Sequence, residues 1–245
     1  MILVKKMKNN FNIVAIIPAR GGSKGIPRKN LVDFCGRPLL FWTIYQALNS
    51  KYIKKVFVSS DDEEILNISK KFEANIVKRP KDLALDISSS EEALLHAIDY
   101  IEISHKEKID VVVFLQATSP VRTSEDINDA VRFFVSQKAD SLFSAALLED
   151  FCIWEIKGNK SRSISYDYKN RKGRKDRFPY YLENGSIYIF KPDIIKRYKN
   201  RLGGKIIVYP MPFWKSCEID KEEDLEICEY FMKKKILRQA VNPLC

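Results

Sequence analysis

Residues 19–30 read ARGGSKGIPRKN, three glycines and four cations set directly after the apolar run IVAIIP at 13–18. These residue types in this order suit the holding of phosphate. Gly21, Gly22 and Gly25 are free to take positive φ and to bring backbone amides close to a ligand. Successive amides in such a turn form an anion-binding nest, and Arg20, Lys24, Arg28 and Lys29 add mobile charge. The expected ligand is the phosphate tail of a nucleotide triphosphate. The spacing matches neither GxxxxGK[ST] nor GxGxxG, so both common phosphate-loop signatures are excluded.

A loop of this kind works only if the elements on either side hold it at a sheet edge. IVAIIP is wholly apolar and ends in a turn signal, as a strand buried on both faces does. The spacing predicts a helix over 39–48 after Pro38, a strand over 54–60 and a helix over 61–72 with acids first and lysines last. A strand over 75–80 follows, then a helix over 89–102 in which Ser89 and Glu92 form a capping-box pattern. DVVVFLQ at 110–116 reads as a deeply buried strand, and 124–137 as a helix beginning at Ser124 without a box. Strand alternating with helix implies parallel βαβ units under covering helices, an α/β architecture. Beyond 141 the rhythm loosens. Segments 141–148 and 151–156 are expected to pair as strands, 158–177 shows no core pattern, 185–192 and 205–210 return as strands, and 221–237 closes the chain as an amphipathic helix. We expect one domain over 1–245, with a smaller excursion around 147–182. In a sheet of this kind the loop after the first strand lies at the carboxyl edge, where ligands bind.

Bulk properties narrow the field. A chain of 245 residues, 45% hydrophobic and 30% charged, has room for a sizeable core. No apolar run approaches the ~20 residues that span a bilayer, and the N-terminus lacks a secretory pattern, so no membrane partner and a cytoplasmic location are expected. Cys35, Cys152, Cys217, Cys228 and Cys245 are scattered, which argues against a zinc site and against a disulfide framework. The net charge is +10, but the lysines are spread along the chain. Only 169–177, KNRKGRKDR, is dense, and it reads either as a solvated loop or as a contact for an anionic ligand.

ARGGSKGIPRKN resembles the signature of the acylneuraminate cytidylyltransferases. Five later segments resemble that family's motifs in the same order: 57-FVSSDDEEI-65, 79-RPKDLALDISSSEEALLHAI-98, 115-LQATSPVRTSEDI-127, 183-ENGSIYIF-190 and 218-EIDKEEDLE-226. The resemblance implies a Rossmann-like nucleotidyltransferase fold, with an excursion that helps to form a homodimer. It implies transfer from CTP to a nine-carbon keto sugar acid such as sialic, legionaminic or pseudaminic acid, giving a CMP-sugar and pyrophosphate. By position, Arg20, Gly21, Gly22, Ser23, Lys24, Lys29 and Asn30 match residues around the nucleotide, with Lys24 and Arg20 on the transferring phosphate. Ser89 and Gln116 match positions near cytidine. Gln116, Arg122, Tyr188 and either Arg174 or Lys175 match the sugar side, and each of Tyr188, Gln116 and Asn30 also has a purely structural reading. The family's acidic pair, which holds Mg2+ (or Mn2+), answers to Glu218 and Asp220, with Asp220 also assigned to the chemistry. At i, i+2 on an extended segment both carboxylates face one side, and magnesium is commonly held by one or two carboxylates plus substrate phosphates.

Two rivals stand beside this reading. One is a nucleotidyltransferase for another sugar, such as 3-deoxy-octulosonic acid. The other is a basic nucleic-acid-binding protein, supported by charge but lacking a recognition motif; no nucleic-acid partner is expected. His96 and His105 fall on or beside a helix and read as structural.

Overall fold

Seven strands form one sheet in the order β11-β7-β10-β6-β1-β4-β5. The computed structural model describes residues 11–23, 25–84, 88–148, 151–171, 173 and 179–238. The strands are β1 (Ile13–Pro18), β4 (Lys55–Ser60), β5 (Asn75–Lys78), β6 (Val111–Leu115), β7 (Ser141–Leu147), β10 (Tyr181–Phe190) and β11 (Ile206–Met211). Contacts β1–β4, β1–β6, β4–β5 and β7–β11 are parallel, while β10 runs antiparallel to both of its neighbours. Two small hairpins stand apart: β2 (Asp33–Phe34) with β3 (Arg37–Pro38), and β8 (Trp154–Lys157) with β9 (Lys160–Ser163).

Alternation along β1 explains the layers. Ile13, Ala15 and Ile17 pack with Leu40 and Ile44 of helix α1 (Leu39–Leu48) and with Ile127, Val131 and Phe134 of helix α4 (Ser124–Ser136). Val14 and Ile16 face the other way, onto Leu94, Ala97 and Ile98 of helix α3 (Ser90–His105) and Ile195 of helix α5 (Pro192–Tyr198). Each fully buried aliphatic side chain contributes about 1.5–3 kcal/mol, so the double-sided run places β1 in the sheet's interior, between β6 and β4. Helix α2 (Glu63–Lys71) begins at Asp62, whose carboxylate accepts from the Ile65 amide at 3.0 Å. Helix α6 (Glu222–Phe231) continues as one π-helical stretch, 232–237.

Two local expectations are corrected. The α4 cap is Thr123, not Ser124: its hydroxyl accepts from Asp126 N at 3.1 Å and the Asp126 carboxylate returns to Thr123 N at 2.7 Å. A capping box is therefore present, one residue earlier than expected. Segment 141–147 does not pair with 151–156, because Leu142, Ala145 and Ala146 are buried and belong inside the sheet, between β10 and β11. The exposed Trp154 and Ile156 lie on the separate β8–β9 hairpin. Within 158–177, Lys160–Ser163 does form a strand despite its polar composition.

Candidate active site

β1 has β4 on one side and β6 on the other, so chain direction across the sheet reverses at this point. Ligands in open α/β sheets bind outside the carboxyl ends of strands at such a reversal. A cleft of about 610 Å³ opens there, floored by Pro18, Phe114 and Gln116. The loop carrying Arg20, Ser23, Gly25, Lys29 and Asn30 forms one wall with Glu218 and Asp220. Arg79, Leu83 and Ala84 form the other, together with the start of α3 at Ser88–Ser90.

The loop is tied down at several points. Ala19 N donates to Ser59 O at 2.9 Å, Gly21 N to Asp61 Oδ1 at 3.1 Å, and Asn30 Nδ2 to Arg20 O at 2.9 Å. Lys29 Nζ reaches across to Ile219 O at 2.8 Å and Asp220 Oδ1 at 2.9 Å. None of the three loop glycines takes a left-handed φ; Gly21 and Gly25 are required instead by close approach. A Cβ at Gly25 would collide with the Asp220 carbonyl oxygen, and one at Gly21 would sit 2.8 Å from Asp62 Oδ2. Gly22 is exposed with open space around it.

Ile26 and Ile219 explain why the loop meets the acids. Both are buried in a third apolar cluster with Phe34, Leu39, Trp42 and Met232. Burying Ile219 in an extended segment sends its neighbours Glu218 and Asp220 to the cleft side. Ile219 N donates to Thr118 O at 2.8 Å, which fixes this segment beside the end of β6. Glu218 Oε1 accepts from Gln116 Nε2 at 3.0 Å and Thr118 Oγ1 at 2.9 Å. Two carboxylates thus share the cleft with three cations. That donor set suits a hard divalent cation completed by phosphate oxygens. Among the described residues no group of three or more His, Cys, Asp or Glu side chains could hold a metal without such help.

Sequence reasoning missed Arg79. It follows β5, is 6% exposed, and presents Nε and Nη2 without a hydrogen-bond partner; its nearest carboxylate, Asp61 Oδ1, is 3.7 Å from Nη2. Burial lowers its pKa, Asp61 opposes that shift, and nearby Arg20 adds to it. A buried guanidinium with unmet donors and a like-charged neighbour is relieved by an oxygen-rich anionic or carbonyl ligand. The available signal was a cation at a strand's carboxyl end, immediately before Pro80. His96 has its pKa lowered by burial and then by Arg79, which favours the neutral form in a helix position.

Not every expected residue lies in the cleft. Arg122, expected on the sugar side, is fully buried and does not line the cleft. Its guanidinium donates to Gln116 O at 3.1 and 3.2 Å, Ser119 O, Ser186 O at 3.3 Å and Thr43 Oγ1 at 2.7 Å. Burial pulls its pKa down to about 9, which leaves it protonated at neutral pH. Tyr188 is also core: its ring stacks on Phe114 at 5.3 Å, Arg201 covers it at 4.4 Å, and its hydroxyl donates to Glu183. Only Phe114 of that stack lines the cleft. Ser89 lines it while capping α3, accepting from Glu92 N at 3.2 Å. Lys24, Arg174 and Lys175 lie outside the described residues.

The profile of a family described as Cytidylyltransferase matches residues 14–240. Zebrafish N-acylneuraminate cytidylyltransferase A is 34% identical over 91% of this chain, which spans 51% of that protein's length. Campylobacter jejuni pseudaminic acid cytidylyltransferase is 32% identical over 93% of this chain and 97% of its own. The chain therefore spans about half of the fish relative and nearly all of the bacterial one. A solved structure of CMP:2-keto-3-deoxy-manno-octonic acid synthetase complexed with CTP superposes with a TM-score of 0.66 at 17% identity, covering 92% of this chain and 100% of that one. A 4-diphosphocytidyl-2C-methyl-D-erythritol synthase superposes with a TM-score of 0.67 at 10% identity, covering 91% and 100%. At those identities the likeness is one of fold, a Rossmann-like nucleotidyltransferase α/β sheet.

Proposed function

The chain belongs to the cytidylyltransferase family, and on that premise we propose that it transfers the cytidylyl group of CTP to a nonulosonic acid. One observation carries the reading: Arg20, Lys29 and Arg79 share with Glu218 and Asp220 a single cleft at the sheet's reversal point. The sugar's anomeric hydroxyl oxygen bonds to the α-phosphorus while the α–β bridging P–O bond breaks, releasing pyrophosphate and a proton. Such transfers need positioning and charge neutralisation more than a covalent nucleophile. Arg20 and the loop's backbone amides orient the triphosphate, and Lys24 stabilises charge growing on the transferring group. Gln116, Ser89 and Arg79 are placed to meet the nucleoside. Glu218 and Asp220 would hold Mg2+ (or Mn2+), which when bound supplies additional positive charge to the phosphates. Lys29 keeps Asp220 turned toward the cleft.

The sugar is sialic acid or a relative such as pseudaminic or legionaminic acid, a range supported by identities above 30% to enzymes of both names. Octulosonic acid is supported only by likeness of fold. Pyrophosphate release from CTP across a panel of these acids tests the reading. Turnover with one nonulosonic acid, abolished by EDTA, is expected; no release with any acid in the presence of Mg2+ would overturn it.

We further propose a homodimer through the 147–182 excursion. Phe151, Trp154, Ile156, Tyr181 and Leu182 are exposed there, and large apolar side chains left in water over one segment support a protein–protein contact. Ile156→Glu should convert the dimer to monomer in light scattering. The location proposed is the cytoplasm, a reading supported by the free thiols of Cys35, Cys217 and Cys228. Among the described residues no helix is long and apolar enough to cross a membrane.

A further inference from the structure

Asp61 touches two separate parts of the cleft with one oxygen. Its Oδ1 accepts from Gly21 N at 3.1 Å, at the start of the loop, and lies 3.7 Å from Arg79 Nη2 on the opposite wall. The residue sits immediately after β4, between the two segments it faces. Its neighbour extends the arrangement to the far end of the loop. Asp62 Oδ1 pairs with Arg28 at 3.2 Å, and Arg28 also reaches Glu64 at 2.8 Å. Arg28 holds a left-handed φ of 52°, unusual for a residue with a side chain, and these two ion pairs secure it. Gly21 and Arg28 bracket Ser23 and Gly25, and each is held by one of two adjacent carboxylates.

We infer that Asp61 is a positioning residue that couples the phosphate loop to Arg79, with Asp62 latching the loop's other end. Arg79 has no other carboxylate among its ion pairs in the described residues. Without Asp61 its charge would be buried opposite Arg20, and its guanidinium would turn toward water. The Gly21 amide would lose its acceptor in the same step. The two walls of the cleft are therefore held together by one side chain that does not itself line the cleft. This inference rests on the reading of the cleft as the CTP site.

The test is a double-mutant cycle. Asp61→Asn keeps an oxygen for the Gly21 amide and removes the charge facing Arg79; Arg79→Met removes the cation. Asp61→Asn is expected to raise KM for CTP by about tenfold while kcat changes by less than about threefold, and in the Arg79→Met background the same change should move KM by less than about twofold. Asp61→Ala, which also strips the amide of its acceptor, should lower kcat in addition. Unchanged KM in Asp61→Asn, or effects that simply add, would overturn the coupling. If Asp61→Asn fails to fold, the double variant, which lacks the uncompensated charge, should recover the fold, and failure to recover also overturns it. The same cycle read in Tm does not depend on CTP. An inert wild type would refute the CTP reading, and additive Tm shifts would refute the coupling independently.

Discussion

Arg122→Met separates a structural arginine from a substrate-binding one. Methionine nearly matches the stem's length but removes the donors to the carbonyls of Gln116, Ser119 and Ser186 and to the Thr43 hydroxyl. Gln116 O keeps the Ser119 amide as a donor at 3.4 Å, so three buried acceptors lose theirs, at about 1 kcal/mol each or about 3 kcal/mol in all. Removing a buried guanidinium returns part of its own desolvation cost, so a net loss of about 2 kcal/mol is expected. At about 2–4 °C per kcal/mol for a chain of this size, Tm should fall by roughly 4–8 °C. Scanning calorimetry or thermal circular dichroism measures that shift, and sugar titrations at saturating CTP measure KM in the folded enzyme. The reasoning expects a large Tm change with sugar KM moving less than about threefold. An unaltered Tm with sugar KM raised about tenfold or more would refute it and restore Arg122 to the pocket.

Lys24→Ala should lower kcat by about 10²-fold or more, as loss of a transition-state donor does, with an unchanged Tm; wild-type turnover would remove this lysine from the chemistry. Gly25→Ala should reduce kcat/KM for CTP by about tenfold or more, because the new methyl group overlaps the Asp220 carbonyl and forces loop and acid segment apart. Full activity would show that the two segments are not in contact in solution. Acid should destabilise the fold. Asp140, held by the Lys191 ammonium, Asp224, held by the Asp220 amide, and Glu229, held by the Cys35 amide, all lie below the ordinary carboxylate range. Their contributions are present above the unfolded pKa values near 4 and are lost as pH falls through the lower folded values. A Tm that stays level from pH 5 to pH 3 would contradict those contacts.

Elements whose stability comes from local pattern were legible from the chain alone. The bounds of α1 at 39–48 and β1 at 13–18 coincide with the expected ones, because a buried strand and an amphipathic helix each carry their period in the sequence. The Ser89 capping box is equally local. Thr123 was missed by one residue because Thr and Ser stand side by side and either could begin the turn. The loop's cations and the Glu218–Asp220 pair were also visible, since residue type and spacing alone mark them.

Pairing and burial between distant segments were decided elsewhere. Nothing local in TSPVRT distinguishes an arginine reaching a ligand from one hydrogen-bonded beneath the floor; the choice depends on Thr43 and Ser186, 79 and 64 residues away. Arg79 gains its place in the cleft only because β5 ends beside β4, and Tyr188 loses its place because Phe114 and Arg201 enclose it. The sequence thus determined which residues carry charge and which segments are apolar. The tertiary structure determined which of those charges face the cleft, because a side chain's exposure is set by neighbours brought together across the sheet.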